Sequence, residues 1–180
     1  MKEEDALECF CAPQAVLAGD YTALTALPAA VLATVRPNGL TLVHHLAISG
    51  CRGGLRALHE LGAGASLSAA DASGSTPAHW AAQEGHEGCL RALHELGAGA
   101  SLSVAGANGR TPAHYAATGG HEGCLRVLHE LGAGASLSAS MANGGTPAHC
   151  AANGGHEGCL RVLHELGAGA ILSAATATGD

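Results

Sequence analysis

One interval governs this chain. Thr41, Thr76, Thr111 and Thr146 stand 35 residues apart, inside "NGLTLVHHLA", "SGSTPAHWAA", "NGRTPAHYAA" and "NGGTPAHCAA". Downstream, "CRGGLRALHELGAGASLS", "HEGCLRALHELGAGASLS" and "HEGCLRVLHELGAGASLS" keep the same register with no insertion or deletion. A fixed period of this size means a stack of identical supersecondary units, each burying its apolar face only against its neighbours.

Each unit parses into two helices. Thr76 suits an N-cap and Pro77 the first helical turn, where no backbone donor is needed. The first helix runs through "AHWAAQE" and stops at Gly85; a second begins near His86. On that second helix Glu87, Arg91, His94 and Glu95 share one face, while Cys89, Leu93 and Leu96 share the opposite one, an amphipathic pattern with one buried stripe. Gly97 stands where a left-handed C-cap ends the helix. The polar, glycine-rich "AGASLSVAGANGR" reads as an extended, hairpin-like loop leading to the next Thr-Pro. Aromatics are only 2% of the chain, so the core is one of alanine and leucine, suited to closely approaching helices rather than a sheet sandwich.

"NGRTPAHYAATGGHEGCLRVLHELGAGAS" resembles an ankyrin repeat, with its G-x-T-P-x-H-x-A-A, then G-H, L-x-x-L and an L-G-A helix end. The resemblance covers about residues 13–178 and implies an all-α ankyrin-repeat solenoid with hairpin-like fingers. The units from Gly74, Gly109 and Gly144 match strongly. The unit from Gly39 has Leu42 in place of the proline and Cys51 in place of the histidine. The expected organisation is a flexible acidic N-terminus (1–12), a divergent capping unit (13–36) and four repeats (about 37–71, 72–106, 107–141 and 142–178) in one continuous domain. The period exceeds the roughly 33 residues of the family. The two extra residues fall between Gly97 and Thr111 and their equivalents, which predicts longer fingers. The family's opening acidic residue survives only as Asp71, replaced by Gly106 and Met141.

"HEGC", at His86–Cys89, His121–Cys124 and His156–Cys159, has the residue types of a metal or Cys/His site. Zinc needs about four ligands converging at about 2.0–2.3 Å. Equivalent positions on stacked helices lie about 10 Å apart, and Leu90 stands where H-E-x-x-H would place its second histidine. A catalytic thiol needs partial exposure and a unique pocket, whereas these cysteines recur on the buried stripe. They are read as small core hydrophobes, and no catalytic residue, metal or cofactor is expected. "GAGAS" follows a helix rather than a strand and completes no phosphate-binding fingerprint. Glu87–Arg91, Glu122–Arg126 and Glu157–Arg161 have the i,i+4 spacing of helical ion pairs.

The twelve histidines fall mostly into ladders. The resemblance implies that His44, His79, His114 and His149 bond backbone and tie turn to helix. His86, His121 and His156 are expected to pack at helix entry, and His59, His94, His129 and His164 to lie in solvent. A net charge of −7 argues against a sequence-independent grip on nucleic acid. Tyr21 to Val35 is uncharged but broken by Pro28 and shorter than the roughly 20 residues of a membrane helix. The N-terminus lacks a secretory pattern. These features predict a cytoplasmic or nuclear protein with reduced thiols, binding neither nucleic acid nor membrane.

The copies differ mainly at loop tips and along the first helix. In an ankyrin stack these positions line the concave groove that binds partners. The candidate partner-binding residues are therefore Ser73, Ser75, Trp80, Gln83, Glu84, Asn108, Arg110, Tyr115, Thr118, Asn143 and Asn153. Trp80 and Tyr115 are either exposed anchors or inter-repeat packing residues; the sequence leaves both open. The chain ends "TATGD" after an apolar stripe with no polar capping unit. It is expected to be a fragment of a longer array, or to self-associate through that last repeat. The function expected is a non-catalytic protein-interaction module. The alternatives are a regulatory or targeting domain of a larger ligase- or kinase-type enzyme and, behind it, a His/Cys-rich metal- or pH-responsive protein.

Overall fold

The computed structural model of the chain describes residues 35–168. The acidic N-terminus, the capping unit through residue 34 and the chain from residue 169 lie outside the described residues. Four helix pairs follow in order: α1 (Leu42–Ile48) and α2 (Arg52–Leu58), α3 (Pro77–Gln83) and α4 (Glu87–Leu93), α5 (Pro112–Gly119) and α6 (Glu122–Glu130), α7 (Pro147–Asn153) and α8 (Glu157–Glu165). Among the described residues there is no β-strand.

Helices of seven to nine residues are too short to persist alone in water. Capping and stacking make them. At the start of α3 the Thr76 N–H donates to His79 Nδ1 at 3.0 Å, and Thr76 Oγ1 lies 2.9 Å from the same nitrogen. The arrangement repeats at Thr41–His44, Thr111–His114 and Thr146–His149. In the first rung Leu42 takes the proline's place without loss of the cap and is itself buried. At the end of α6, Ala133 N–H bonds Leu128 O at 2.9 Å and Gly132 N–H bonds His129 O at 3.1 Å, with Gly132 at φ 83°. That is the Schellman arrangement, and it requires a residue free to enter the left-handed region.

First helices pack on first helices and second on second, while the two helices of one rung pack against each other. Ala78, Ala81, Ala82, Ala113, Ala116 and Ala117 are fully buried, as are Leu90, Leu93, Leu125 and Leu128. Alanine on the inner side of the first helix lets neighbouring rungs approach closely; the leucines of the second helix fill the remaining volume.

The fingers differ from the expected long hairpins. Each tip is a tight turn: Asp71 N–H to Ser75 O at 2.9 Å, Gly106 N–H to Arg110 O at 2.8 Å, Met141 N–H to Gly145 O at 2.8 Å. Neighbouring tips are joined by Ala72 N–H to Asn38 O and Ala107 N–H to Ser73 O. The loop between each second helix and the next finger carries a single 3-10 turn, at Gly64–Ser68, Gly99–Leu102 and Gly134–Leu137 in successive rungs. Ser101 and Ser136 Oγ donate to Ala98 and Ala133 O at 2.7 Å, and Leu67, Leu102 and Leu137 are buried. The serine supplies the bond an extended strand would have made to a neighbour, and the leucine gains burial only when the chain coils inward.

Candidate interaction surface

The "HEGC" ladder is a stacking device. His86 Nε2 donates to Ile48 O at 2.9 Å, His121 to Gln83 O at 2.8 Å and His156 to Thr118 O at 3.0 Å. Each histidine thus takes up an orphan carbonyl at the C-terminal end of the preceding rung's first helix. Cys89, Cys124 and Cys159 are at most 1% exposed, and burial pushes their thiols up, to about 12, 12 and 11 respectively. Such thiols hold essentially no thiolate at neutral pH. Among the described residues no three of His, Cys, Asp and Glu gather as a metal-ligand set.

The Thr-x-x-His histidines point the other way along the stack. His44 Nε2 bonds Ser75 O at 3.2 Å, His79 bonds Arg110 O at 3.1 Å and His114 bonds Gly145 O at 3.3 Å, each in the following finger. Because Nδ1 accepts a backbone N–H, the proton must sit on Nε2, so the ring is the neutral tautomer with both nitrogens committed. Burial holds the pKa of all three below the ordinary histidine value, against the smaller opposing pull of the carbonyls they bond and, for His44 and His79, of Asp71.

The outer face carries ion pairs, although not the helical ones the spacing predicts in the inner rungs. Arg56 reaches Glu95 at 2.5 Å, Arg91 reaches Glu130 at 2.6 Å and Arg126 reaches Glu165 at 2.7 Å, each in the following rung. Only Arg161 makes the expected i,i+4 pair, to Glu157 at 3.0 Å. An arginine in a stack has a second acid in reach on the adjacent helix, and takes it where it is present. His59, His94, His129 and His164 are exposed on this face.

The candidate partner-binding residues separate by what their polar atoms already do. Ser75 is only 3% exposed; its N–H is bonded by Asp71 Oδ1 and its hydroxyl lies 3.4 Å from Tyr115 Oη, so it has almost no surface to offer. Ser73, Asn108 and Asn143 are exposed but close their own turns. Asn108 Oδ1 accepts Arg110 N–H at 3.0 Å and Asn143 Oδ1 accepts Gly145 N–H at 3.1 Å. Asn38 does the same for Leu40 N–H in the first described finger, whereas in the 71–75 finger Asp71 Oδ1 takes over this role, accepting both Ser73 and Ser75 N–H. Burial would raise the Asp71 carboxyl, but the Ser73 hydroxyl, the two backbone donors and the Trp80 indole outweigh it and hold its pKa below the usual value. The variation at these tips is therefore compensated: Asp71 goes with Ser73, whereas Gly106 and Met141 go with Asn108 and Asn143.

Trp80 and Tyr115 are each half-buried. Trp80 Nε1–H donates to Asp71 Oδ2 at 3.1 Å. Tyr115 stands edge-on to His79, with ring centroids 5.5 Å apart, and the Arg110 guanidinium lies 5.6 Å from its ring centroid. Both rings are thus fixed by neighbouring rungs while keeping part of their surface open. Gln83 is half-buried, and its amide donates to Glu84. Glu84, Thr118 and Asn153 are exposed, with the Thr118 hydroxyl bonded back to His114 O at 2.8 Å. Arg110, Asn143 and Asn153 come together around a shallow depression of about 390 Å³ on the last described finger and first helix, with Met141, His149 and Cys150. Those last three were not among the candidates. Met141 and Cys150 belong to positions that vary between copies, which was the available signal.

A family model described as ankyrin repeats (many copies) matches residues 43–94, 78–129 and 114–164 in consecutive overlapping segments. No curated protein matches the chain. With the repeat geometry, the two histidine ladders and a family match over most of its length, the chain belongs to the ankyrin-repeat family.

Proposed function

We propose that the chain is a non-catalytic module that binds a protein partner on the face made by its first helices and fingertips, the concave side of an ankyrin stack. Ankyrin repeats are generally protein-interaction modules. The observation that carries the reading is the contrast between the two faces. The second helices α4, α6 and α8 are nearly identical and carry paired, solvated charge. The first-helix face differs at every rung and presents Trp80, Arg110 and Tyr115 partly open and already held in place. Aromatic and arginine side chains dominate interface energies, and a preformed surface loses little ordering entropy on binding. Of the candidates, Trp80, Gln83, Glu84, Arg110, Tyr115, Thr118 and Asn153 remain available for direct contact; Ser73, Asn108 and Asn143 act through the shape of the turns. Among the described residues no helix is long and apolar enough to cross a membrane. Self-association through the last repeat is a second use of the same stack; its test is the molar mass in solution across a concentration series.

The test is site-specific photo-crosslinking. A benzoylphenylalanine at Asn153 samples the first-helix face, and one at His129 samples the outer face. Discrete partner adducts from Asn153 alone support the assignment. Equal adducts from both positions, or adducts from His129 alone, refute it.

A further inference from the structure

Three of the four described fingertips carry an asparagine followed by a glycine: Asn38–Gly39, Asn108–Gly109 and Asn143–Gly144. The other has Ser73 before Gly74. An asparagine carboxamide can be attacked by the backbone nitrogen of the residue that follows it, and glycine has no Cβ to obstruct the five-membered ring. In a folded chain the reaction depends on how firmly the turn holds the peptide groups that must rotate.

All three asparagines are exposed, and each offers Oδ1 to the N–H two residues on, at 3.2 Å for Leu40, 3.0 Å for Arg110 and 3.1 Å for Gly145. The oxygen so held is the one that becomes the oxyanion when Cγ is attacked, so the same donor stabilises the adduct. The glycine N–H is tied to a carbonyl three residues back, Gly39 to Arg36 at 2.8 Å and Gly109 to Gly106 at 2.9 Å. The turn must therefore open locally before that nitrogen reacts. The fingers differ in what resists the opening. Ala72 N–H, in the next finger, donates to Asn38 O at 3.1 Å, and Ala107 N–H donates to Ser73 O at 3.0 Å. Among the described residues no N–H donates to Asn108 O. The spacing agrees. A Cβ placed on Gly74 would lie 2.8 Å from Ala107 N and one on Gly109 3.2 Å from Ala142 N, while one on Gly39 would run into Ala72 N. The carbonyl that swings aside for ring closure is thus tied at Asn38 and untied at Asn108. The finger after Asn143 lies outside the described residues, and Asn143 takes no part in the comparison.

We infer that Asn108 is a site of spontaneous deamidation in the folded protein, reacting ahead of Asn38. The Gly109 nitrogen gives its proton to solvent and bonds to Asn108 Cγ; the C–NH2 bond breaks, and ammonia leaves with a proton from water. Water then opens the cyclic imide at one of its two carbonyls, and no oxidant or reductant takes part. Opening at Cγ leaves an aspartate that keeps an oxygen for the Arg110 N–H, as Asp71 Oδ1 serves Ser73 N–H. It adds a negative charge to a fingertip of the proposed interaction face. Opening at the main-chain carbonyl leaves an isoaspartate, which inserts one extra backbone atom into the turn.

The test is incubation of the full chain in mildly alkaline buffer, with and without urea. The Asn38 and Asn108 peptides are followed by mass spectrometry, and isoaspartate is read with an isoaspartyl methyltransferase. In urea the two sites should react at similar rates, since the shared Asn-Gly pair decides. In the folded chain Asn108 should react about fivefold faster than Asn38, the worth of about one backbone hydrogen bond. Ala72→Pro removes the N–H that holds Asn38 O. Position 72 is the second of a turn closed by Gly74 N–H on Asp71 O, a place that favours proline. With native circular dichroism, the variant should bring the Asn38 rate up to that of Asn108. Equal rates in the folded chain, a faster Asn38, or an Asn108 that stays intact while the urea-treated chain is modified each overturns the proposal. An Asn38 rate unmoved in a natively folded Ala72→Pro chain does so too. The wild-type rates decide the matter whether or not the variant folds.

Discussion

Mild acid should loosen the stack well above the pH at which carboxylates titrate. His44, His79 and His114 are at most 1% exposed and each uses both ring nitrogens as a neutral imidazole. A second proton would have to enter at Nδ1, where the Thr N–H already points. Burial, the largest cause, depresses the folded pKa of each below the ordinary 6.5. The unfolded chain therefore takes up protons first as pH falls. Stability is unaffected above about 6.5 and declines as pH drops through that value, levelling off only below the folded pKa. Each histidine that stays neutral while its unfolded counterpart is protonated contributes a slope of up to about 1.4 kcal/mol per pH unit, so three set a ceiling near 4 kcal/mol per unit. Against a total of about 5–15 kcal/mol for a domain, that is enough to move a transition visibly. His45, half-buried and also held low by burial and then by Arg36 and His44, acts in the same direction. Asp71, held below its ordinary 3.8, loses its contribution only at lower pH and does not enter this window. Urea melts followed by circular dichroism between pH 7.5 and 5.0 should show midpoints that are flat at first and then fall, with proton uptake on unfolding. A midpoint that stays level or rises down to pH 5.0 would refute the argument that these rings are locked in the neutral tautomer.

Cys89, Cys124 and Cys159 should resist a thiol reagent at pH 7.5 until urea is added, as read by mass spectrometry of labelled peptides; rapid native labelling of any of them would contradict their burial. Gly85→Ala should cost about 2–4 kcal/mol. It adds to left-handed strain at φ 77° a Cβ only 2.6 Å from His121 Nδ1, whereas Gly97→Ala, at φ 88° with open space, should cost about 1–2. Thermal melts that rank the two the other way would show that the histidine ladder yields easily. Asp71→Gly should cost about 1–3 kcal/mol through loss of the Ser73, Ser75 and Trp80 bonds. Adding Ser73→Asn should recover about 1 of this by importing the turn chemistry of the Asn108 finger; a strictly additive double-mutant cycle would deny the compensation.

Most of the scaffold was legible because the signals that make it are local and recur. Thr-Pro marks three of the four described first helices, Gly97 and its equivalents end each second one, and the stripe of Cys89, Leu93 and Leu96 names the buried side. What the sequence hid depends on a neighbour. Glu87 and Arg91 have correct helical spacing, yet Arg91 turns to Glu130 because a stacked helix brings an acid that no single-helix rule contains. "GASLS" looked extended because four or five residues hold no measurable period, and its coil is fixed by Ser101 bonding Ala98 and Leu102 finding a core. Ser73, Asn108 and Asn143 looked like surface choice. Reading them against Asp71, Gly106 and Met141 exposes them as alternative ways to close one turn. Which arginines find a glutamate in the next rung was not readable at all, since only the stacking brings Arg56, Arg91 and Arg126 to Glu95, Glu130 and Glu165.

The two histidine ladders share a property with a consequence for how such a gene can change. One reaches forward to the next finger and the other back to the previous helix, and every acceptor is a main-chain carbonyl. A carbonyl is present whatever side chain occupies the position, so the junction between rungs is blind to the identity of the rung it receives. A whole 35-residue cassette can be copied, dropped or exchanged by unequal recombination with these histidine–carbonyl bonds remade. Array length and the order of the differing faces are then free to vary between related genes, while a change of even one residue in the interval would break the register at once.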